Sequence, residues 1–355
     1  MIADLTCERA DEKRVSSLLA KVAAEFANKP FIPARFLTQG DLQTFGAFLW
    51  PTRFNLPDTS GDEERFFAVE ANSRVLALCR WQPDREKHPT LVMWHGLEGS
   101  AASAYMLTTA AKAFRRGFNV VRMNVRNCGG TEHLTPTLYH GGLTDDLRVV
   151  IQELIEHDRL PTIVIAGFSL GGNMTLKLAG EYGDDAPAQL KAVAAISPSV
   201  DLQASFEVLN QKRNIIYHRK FLSYLKRRIR GKAELFPSLY DVGRLSAIRS
   251  IEQFDDRYIA PAFGFADARD YYAKASARRF LTRIRIPTLI IHAQDDPFIP
   301  FAPLREALRD SNPHVLLIAP RRGGHVAFIS ANPHDEDRFW AENRLVEFCE
   351  MVAES

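Results

Sequence analysis

Apolar runs of strand length recur along most of the chain: Arg74 to Trp81, Thr90 to Trp94, Phe118 to Val125, Pro161 to Gly167, Lys191 to Ser197, Pro287 to Ala293 and Val315 to Ala319. Between them, Ser103 to Arg116, Thr144 to Asp158, Gly172 to Tyr182 and Asp335 to Ala353 repeat their apolar residues at helical spacing. A strand that is apolar at every position must be covered on both faces. Amphipathic helices falling between such strands supply the cover, so the pattern predicts an α/β fold with a mostly parallel central sheet.

The rhythm breaks between Ser197 and Pro287, where no convincing strand appears and the stretch is too long for a bare loop. A helical insertion is expected there, over residues 200–285. Residues 1–60 also lack the alternation: a helix from Ala10 to Asn28 leads into Pro30, Pro33 and the aromatic-rich Phe45-Gly-Ala-Phe-Leu-Trp-Pro. This reads as an N-terminal extension packing on a core made of residues 61–199 and 286–355.

Composition narrows the class. The 355 residues are 46% hydrophobic and 25% charged, with 45 Lys and Arg against 43 Asp and Glu. Near neutrality argues against a nucleic-acid binder that works through bulk charge. Cys7, Cys79, Cys128 and Cys349 are far apart with no CxxC spacing, and read as reduced thiols of a cytoplasmic protein. No basic-then-apolar leader opens the sequence, and no apolar run approaches the roughly 18 residues that span a bilayer.

The strongest chemical signal is Gly167-Phe168-Ser169-Leu170-Gly171, directly after an apolar strand and directly before a helix. This GxSxG pattern, in that setting, is a nucleophile elbow: Ser169 sits on a sharp turn, and Gly167 and Gly171 leave room for the backbone. A serine hydroxyl needs a base and an acid to orient that base. His325, in the Gly-Gly-His loop past the last strand, is the candidate base; His88, His157, His314 and His334 fall in polar or element-edge contexts. The acid follows the strand at 287–293, where Asp295 and Asp296 compete. Asp296 is preferred because Pro297 and Pro300 set the turn beginning there, with Asp295 hydrogen-bonding that turn. The backbone N–H groups of Leu97, in His95-Gly96-Leu97-Glu98-Gly99, and of Leu170 are the candidate oxyanion donors. His95 reads as a structural hydrogen-bonder rather than a second base. With no HExxH, no clustered His/Cys ligands and no GxxxxGKS/T, neither a metal nor an organic cofactor is expected.

From about Pro30 onward the chain resembles the α/β-hydrolases, and more narrowly the AB hydrolase 4 family of YheT-like esterases. The likeness rests on Asp41-Leu42-Gln43-Thr44, His95 to Ser100, Arg126-Asn127-Cys128-Gly129-Gly130, Leu138 to Leu147, the elbow, Phe254-Asp255-Asp256, Asp270-Tyr271-Tyr272 and Asp295 to Phe298. It implies an α/β-hydrolase fold with a helical cap and a serine hydrolase acting on carboxylic esters, of short to medium acyl chains or of lipids, through a Ser-Asp-His triad and an acyl-enzyme. An acyltransferase using the same triad, and a non-catalytic lipid- or protein-binding module, are the alternatives. Asn127 stands where a glycine is commoner in that family, and the usual acidic turn is missing around Ala71-Asn72-Ser73.

Residues 212–232 hold nine basic side chains and no acidic one, with Ile215, Leu222, Leu225 and Ile229 at near-helical spacing. The simpler expectation is a solvated cap helix whose apolar stripe packs on the core; the sharper one is peripheral contact with an anionic membrane. With nine of the 45 basic residues concentrated here, the rest of the chain is net acidic.

Overall fold

The computed structural model describes residues 2–49, 56–331 and 336–355. Eight strands form one sheet: β1 (Glu63–Glu70), β2 (Ser73–Arg80), β3 (Thr90–Trp94), β4 (Asn119–Met123), β5 (Ile163–Phe168), β6 (Leu190–Ile196), β7 (Thr288–Ile291) and β8 (Val315–Ile318). Their order is β1-β2-β4-β3-β5-β6-β7-β8. β1 pairs antiparallel with β2, and β2 antiparallel with β4; every other pairing is parallel. The chain has the α/β-hydrolase fold.

Alternation along the strands divides the interior into two layers. Val92 and Trp94 of β3, with Ile163 and Ile165 of β5, enter one core. Leu91 and Met93, with Val164, Ala166 and Phe168, enter the other. The second is covered by α1 (Ile2–Ala27), α3 (Ala104–Arg115) and α12 (Trp340–Ala353), the first by α4 (Asp145–Glu156) and α5 (Leu170–Tyr182). A short α2 (Gly40–Leu49) follows α1, and α11 (Phe301–Ala307) follows β7. Each wholly buried Leu or Ile on these strands contributes about 1.5–3 kcal/mol, which is why continuous apolar runs end up in the middle of the sheet.

Between β6 and β7 lie helices alone among the regular elements: α6 (Leu202–Leu209), α7 (Ile215–Leu235), α8 (Ile251–Phe254), a π-helical turn (Asp255–Ile259), α9 (Ala260–Phe263), α10 (Ala268–Ala275) and short 3₁₀ turns.

Three expectations change. β1 is absent from the predicted strands because it is an edge strand whose pattern is mostly exposed, with Phe67 as its buried residue. The last helix begins at Trp340, since Phe339 is held in a β-bridge to Ile329; Asp335, its expected start, and His334 lie outside the described residues. His314, expected at the surface, is only 9% exposed.

Candidate active site

Ser169 closes β5 and caps α5 with φ 54 and ψ −115, the strained backbone of a sharp elbow. The flanking glycines are required by space. A Cβ on Gly167 would stand 2.2 Å from the Gly171 carbonyl oxygen, and one on Gly171 2.5 Å from that of Trp94. The Ser169 amide donates to Ile196 O at the end of β6 (2.9 Å). One residue further, the Ser197 hydroxyl accepts from the amide of Val326 (3.1 Å), the neighbour of His325. The elbow and the histidine loop are thus fastened to the same strand end, where open α/β sheets place their sites.

His325 Nδ1 lies 2.7 Å from Asp296 Oδ2. Asp296 Oδ1 accepts from the amides of Phe298 (3.1 Å) and Ile299 (2.9 Å). Burial raises the affinity of this carboxyl for a proton, but the facing His325, His292 and the Ile299 amide outweigh it and hold the group below the usual carboxylate range. Asp295 instead accepts from the Gly324 amide (3.0 Å), and burial raises its carboxyl. Asp296 therefore both faces His325 and bonds the turn, whereas Asp295, expected to hydrogen-bond that turn, braces the histidine loop instead.

Leu170 opens α5, so its N–H has no carbonyl within the helix to reach. Leu97 is second in a turn closed by Gly99 N–H to Gly96 O (3.0 Å), a position whose N–H the turn leaves unused. A Cβ on Gly96 would meet Ser169 Cβ at 3.0 Å, so glycine lets this loop lie close against Ser169. His95 is buried, with Nδ1 2.7 Å from Gly96 O and Nε2 accepting from Val125 N–H (3.1 Å). Burial pushes its pKa down to about 4, which keeps it neutral and structural.

Several residues hold the site through contacts that the sequence pattern does not specify. Tyr105 Oη accepts from Gly96 N–H (3.0 Å). Glu98, at φ 56, takes a bidentate pair from Arg228 of α7 (2.9 and 2.8 Å) and the hydroxyl of Tyr139 (2.9 Å). Thr44 of α2 accepts the His325 amide (2.9 Å), and Gln43 bonds Ile329 through both ends of its amide. The Asp-Leu-Gln-Thr motif marked these last two without revealing their task. Asn127 stands at φ 64, a left-handed conformation that glycine adopts most readily; its Nδ2 donates to Thr137 O (2.9 Å).

Leu97 and Leu170 border a narrow cavity of about 30 Å³ shared with Leu138, Leu225, Phe254 and Ile259, with His140, Asp255 and Tyr271 as polar members. A larger groove of about 920 Å³ runs past Thr162, Pro187, Pro287 and His314, at the amino ends of β5 to β8 and away from the elbow.

A family profile described as alpha/beta hydrolase fold matches residues 89–331. The chain is 35% identical to YheT of Escherichia coli (strain K12), assigned as an esterase, over 94% of this chain and 97% of that one. It is 29% identical to the medium-chain fatty acid ethyl ester synthase/esterase 2 of Saccharomyces cerevisiae, over 83% of this chain and 72% of the relative. Among solved structures, the Pyrococcus furiosus esterase Pf2001 superposes with a TM-score of 0.55 at 15% identity, over 85% and 93% of the two chains, a likeness of fold.

Proposed function

The chain belongs to the α/β hydrolase family, on its YheT-like branch, and is a carboxylic-ester hydrolase; from that premise we propose that Ser169, His325 and Asp296 are its catalytic triad. The observation that carries the reading is the 2.7 Å contact of His325 Nδ1 with Asp296 beside the Ser169 elbow. With the Nδ1 proton donated to the carboxylate, Nε2 keeps its lone pair. Ser169 Oγ attacks the ester carbonyl as Nε2 takes its proton, and Asp296, held ionised, stabilises the imidazolium. The oxyanion is received by the N–H groups of Leu97 and Leu170, with the α5 N-terminus adding favourable field. His325 then protonates the departing alcohol, and the acyl-enzyme is resolved by water activated at the same Nε2.

The acyl group enters the cavity next to Leu97 and Leu170. At about 30 Å³ it has room for little beyond an acetyl-sized group unless Leu225 and Ile259 give way, so chain length is set there. Residues 200–285 act as the cap over this cavity, and residues 1–60 as an extension whose Thr44 braces His325. Acyl transfer to an alcohol is the second reading, favoured by the synthase/esterase relative. Buried free thiols at Cys79, Cys128 and Cys349 support a cytoplasmic setting.

Ser169→Ala tests the mechanism with p-nitrophenyl esters of short and medium acyl chains and with a fluorophosphonate label. Turnover and labelling both disappear on this reading; unchanged turnover would falsify it.

A further inference from the structure

The structure sorts the basic stretch into two faces. Arg228 turns inward to Glu98, Lys226 donates to Ile248 O (2.6 Å), and buried Lys232 donates to the carbonyls of Glu132 and Thr135. The other six, Lys212, Arg213, Arg219, Lys220, Arg227 and Arg230, are exposed. Among the described residues, Lys212, Arg213, Arg219, Arg227 and Arg230 make no ion pair. Set among them are apolar side chains that water would not select: Ile216 is 66% exposed and Ile215 39%. Phe45 of α2, 40% exposed, stacks on Tyr217 at 5.0 Å and extends that apolar rim, together with Leu42. Asp41, which faces the Tyr217 hydroxyl, and Glu234 of α7 are carboxylates on or beside this face.

The inner face of the same helix lies over the site. Tyr217 and Phe221 pack on Phe298, which stands 4.2 Å from the His325 ring, and Leu225 and Arg228 border the cavity at Leu97. We propose that the outer face of α7, with the rim at Phe45, docks on an anionic lipid bilayer and so seats the covering of the active site on the surface that carries its ester substrate. Exposed cations that make no ion pair within the protein neutralise lipid phosphates and carboxylates, while Ile215 and Ile216 enter the headgroup boundary; that combination separates a bilayer from a purely anionic polymer. The substrate half of this proposal rests on the ester-hydrolase reading. The docking half does not, and is read by binding alone.

The full-length chain is to be co-sedimented with phosphatidylcholine vesicles, with and without phosphatidylserine, at low and high salt, beside a duplex DNA competitor. Binding is expected only with phosphatidylserine and to fall with salt. The triple variant Arg219→Gln, Arg227→Gln, Arg230→Gln is expected to bind on the order of 100-fold more weakly. Ile216→Ser is expected to weaken binding at both salt concentrations, since its part is apolar. All variants should hydrolyse a water-soluble ester as the native chain does, which also shows that they fold. Equal binding to neutral vesicles, no binding to either, full retention in the triple variant, or displacement by DNA each overturns the docking. Loss of soluble-ester hydrolysis in Ser169→Ala, beside absent vesicle binding, leaves the triad standing and removes the docking alone.

Discussion

Arg228→Met removes the charge that joins the inserted helix to the loop at Leu97, the proposed oxyanion donor, while keeping most of the side-chain volume. The structure sets the magnitude. The Arg228 side chain is 9% exposed and that of Glu98 5%, so the pair is shielded from water. Burial alone would lower the proton affinity of Arg228, but the surrounding anionic and hydrogen-bonding groups, Glu98 among them, raise it above the ordinary range. Removing one partner of a buried pair leaves the other charged and unsatisfied, at a cost of about 3–5 kcal/mol. Glu98 would keep the Tyr139 hydroxyl as a donor, so the lower end, ~3 kcal/mol, is expected, already a large share of a total stability of roughly 5–15 kcal/mol. Glu98→Gln relieves that charge, so the double variant should recover ~1–3 kcal/mol relative to the sum of the single changes. Leu97 directly precedes Glu98, and an oxyanion donor that drifts loses part of the ~10²–10³ that such a group supplies. We therefore expect kcat to fall by about tenfold or more with KM moved less. Urea denaturation of the four chains and steady-state kinetics on a soluble ester read both effects. Strictly additive stabilities, together with an unchanged kcat, would refute the reasoning.

The remaining expectations separate neighbouring residues. Asp296→Asn should lower kcat by about 10⁴, because the amide cannot hold the imidazole in the tautomer the reaction needs, whereas Asp295→Asn should do far less, since an amide oxygen can still accept from Gly324; equal losses would contradict the assignment. Burial pushes the Asp255 carboxyl up to about 8. The unfolded chain therefore gives up this proton near pH 4 while the folded chain holds it, so stability falls as pH rises between those values. Asp255→Asn, which can still accept the Tyr272 hydroxyl, should flatten that decline; melting curves from pH 5 to pH 8 that run parallel for the two chains would show the carboxyl to be ionised in the fold. Leu225→Ala should raise turnover of octanoyl relative to acetyl esters by at least about tenfold, and an unmoved ratio would exclude the cavity at Leu97 as the acyl site.

The sequence by itself determined the elements and the chemistry that is local along the chain. Thr90 to Trp94 reads as a strand and is one, because the four consecutive apolar residues Leu91 to Trp94 leave no polar face to expose. The elbow is legible for a similar reason: glycine, serine and glycine between an apolar run and a helix permit few backbone paths, and the Cβ clashes at 167 and 171 express that restriction directly. Edge strand β1 escaped because exposure erases the period that burial imposes. The choice between Asp295 and Asp296 belonged to tertiary structure, since adjacent residues on one turn point apart and only the placement of the His325 loop decides which carboxylate faces the ring. The braces belonged to it as well. Thr44 meets His325 across 281 positions, Ser197 meets Val326 across 129, and Arg228 meets Glu98 across 130. Hydrogen bonds and ion pairs of this kind leave no periodicity along a chain, for they depend on where packed layers bring two polar groups within about 3 Å, and that is settled only when the sheet and its covering helices have closed.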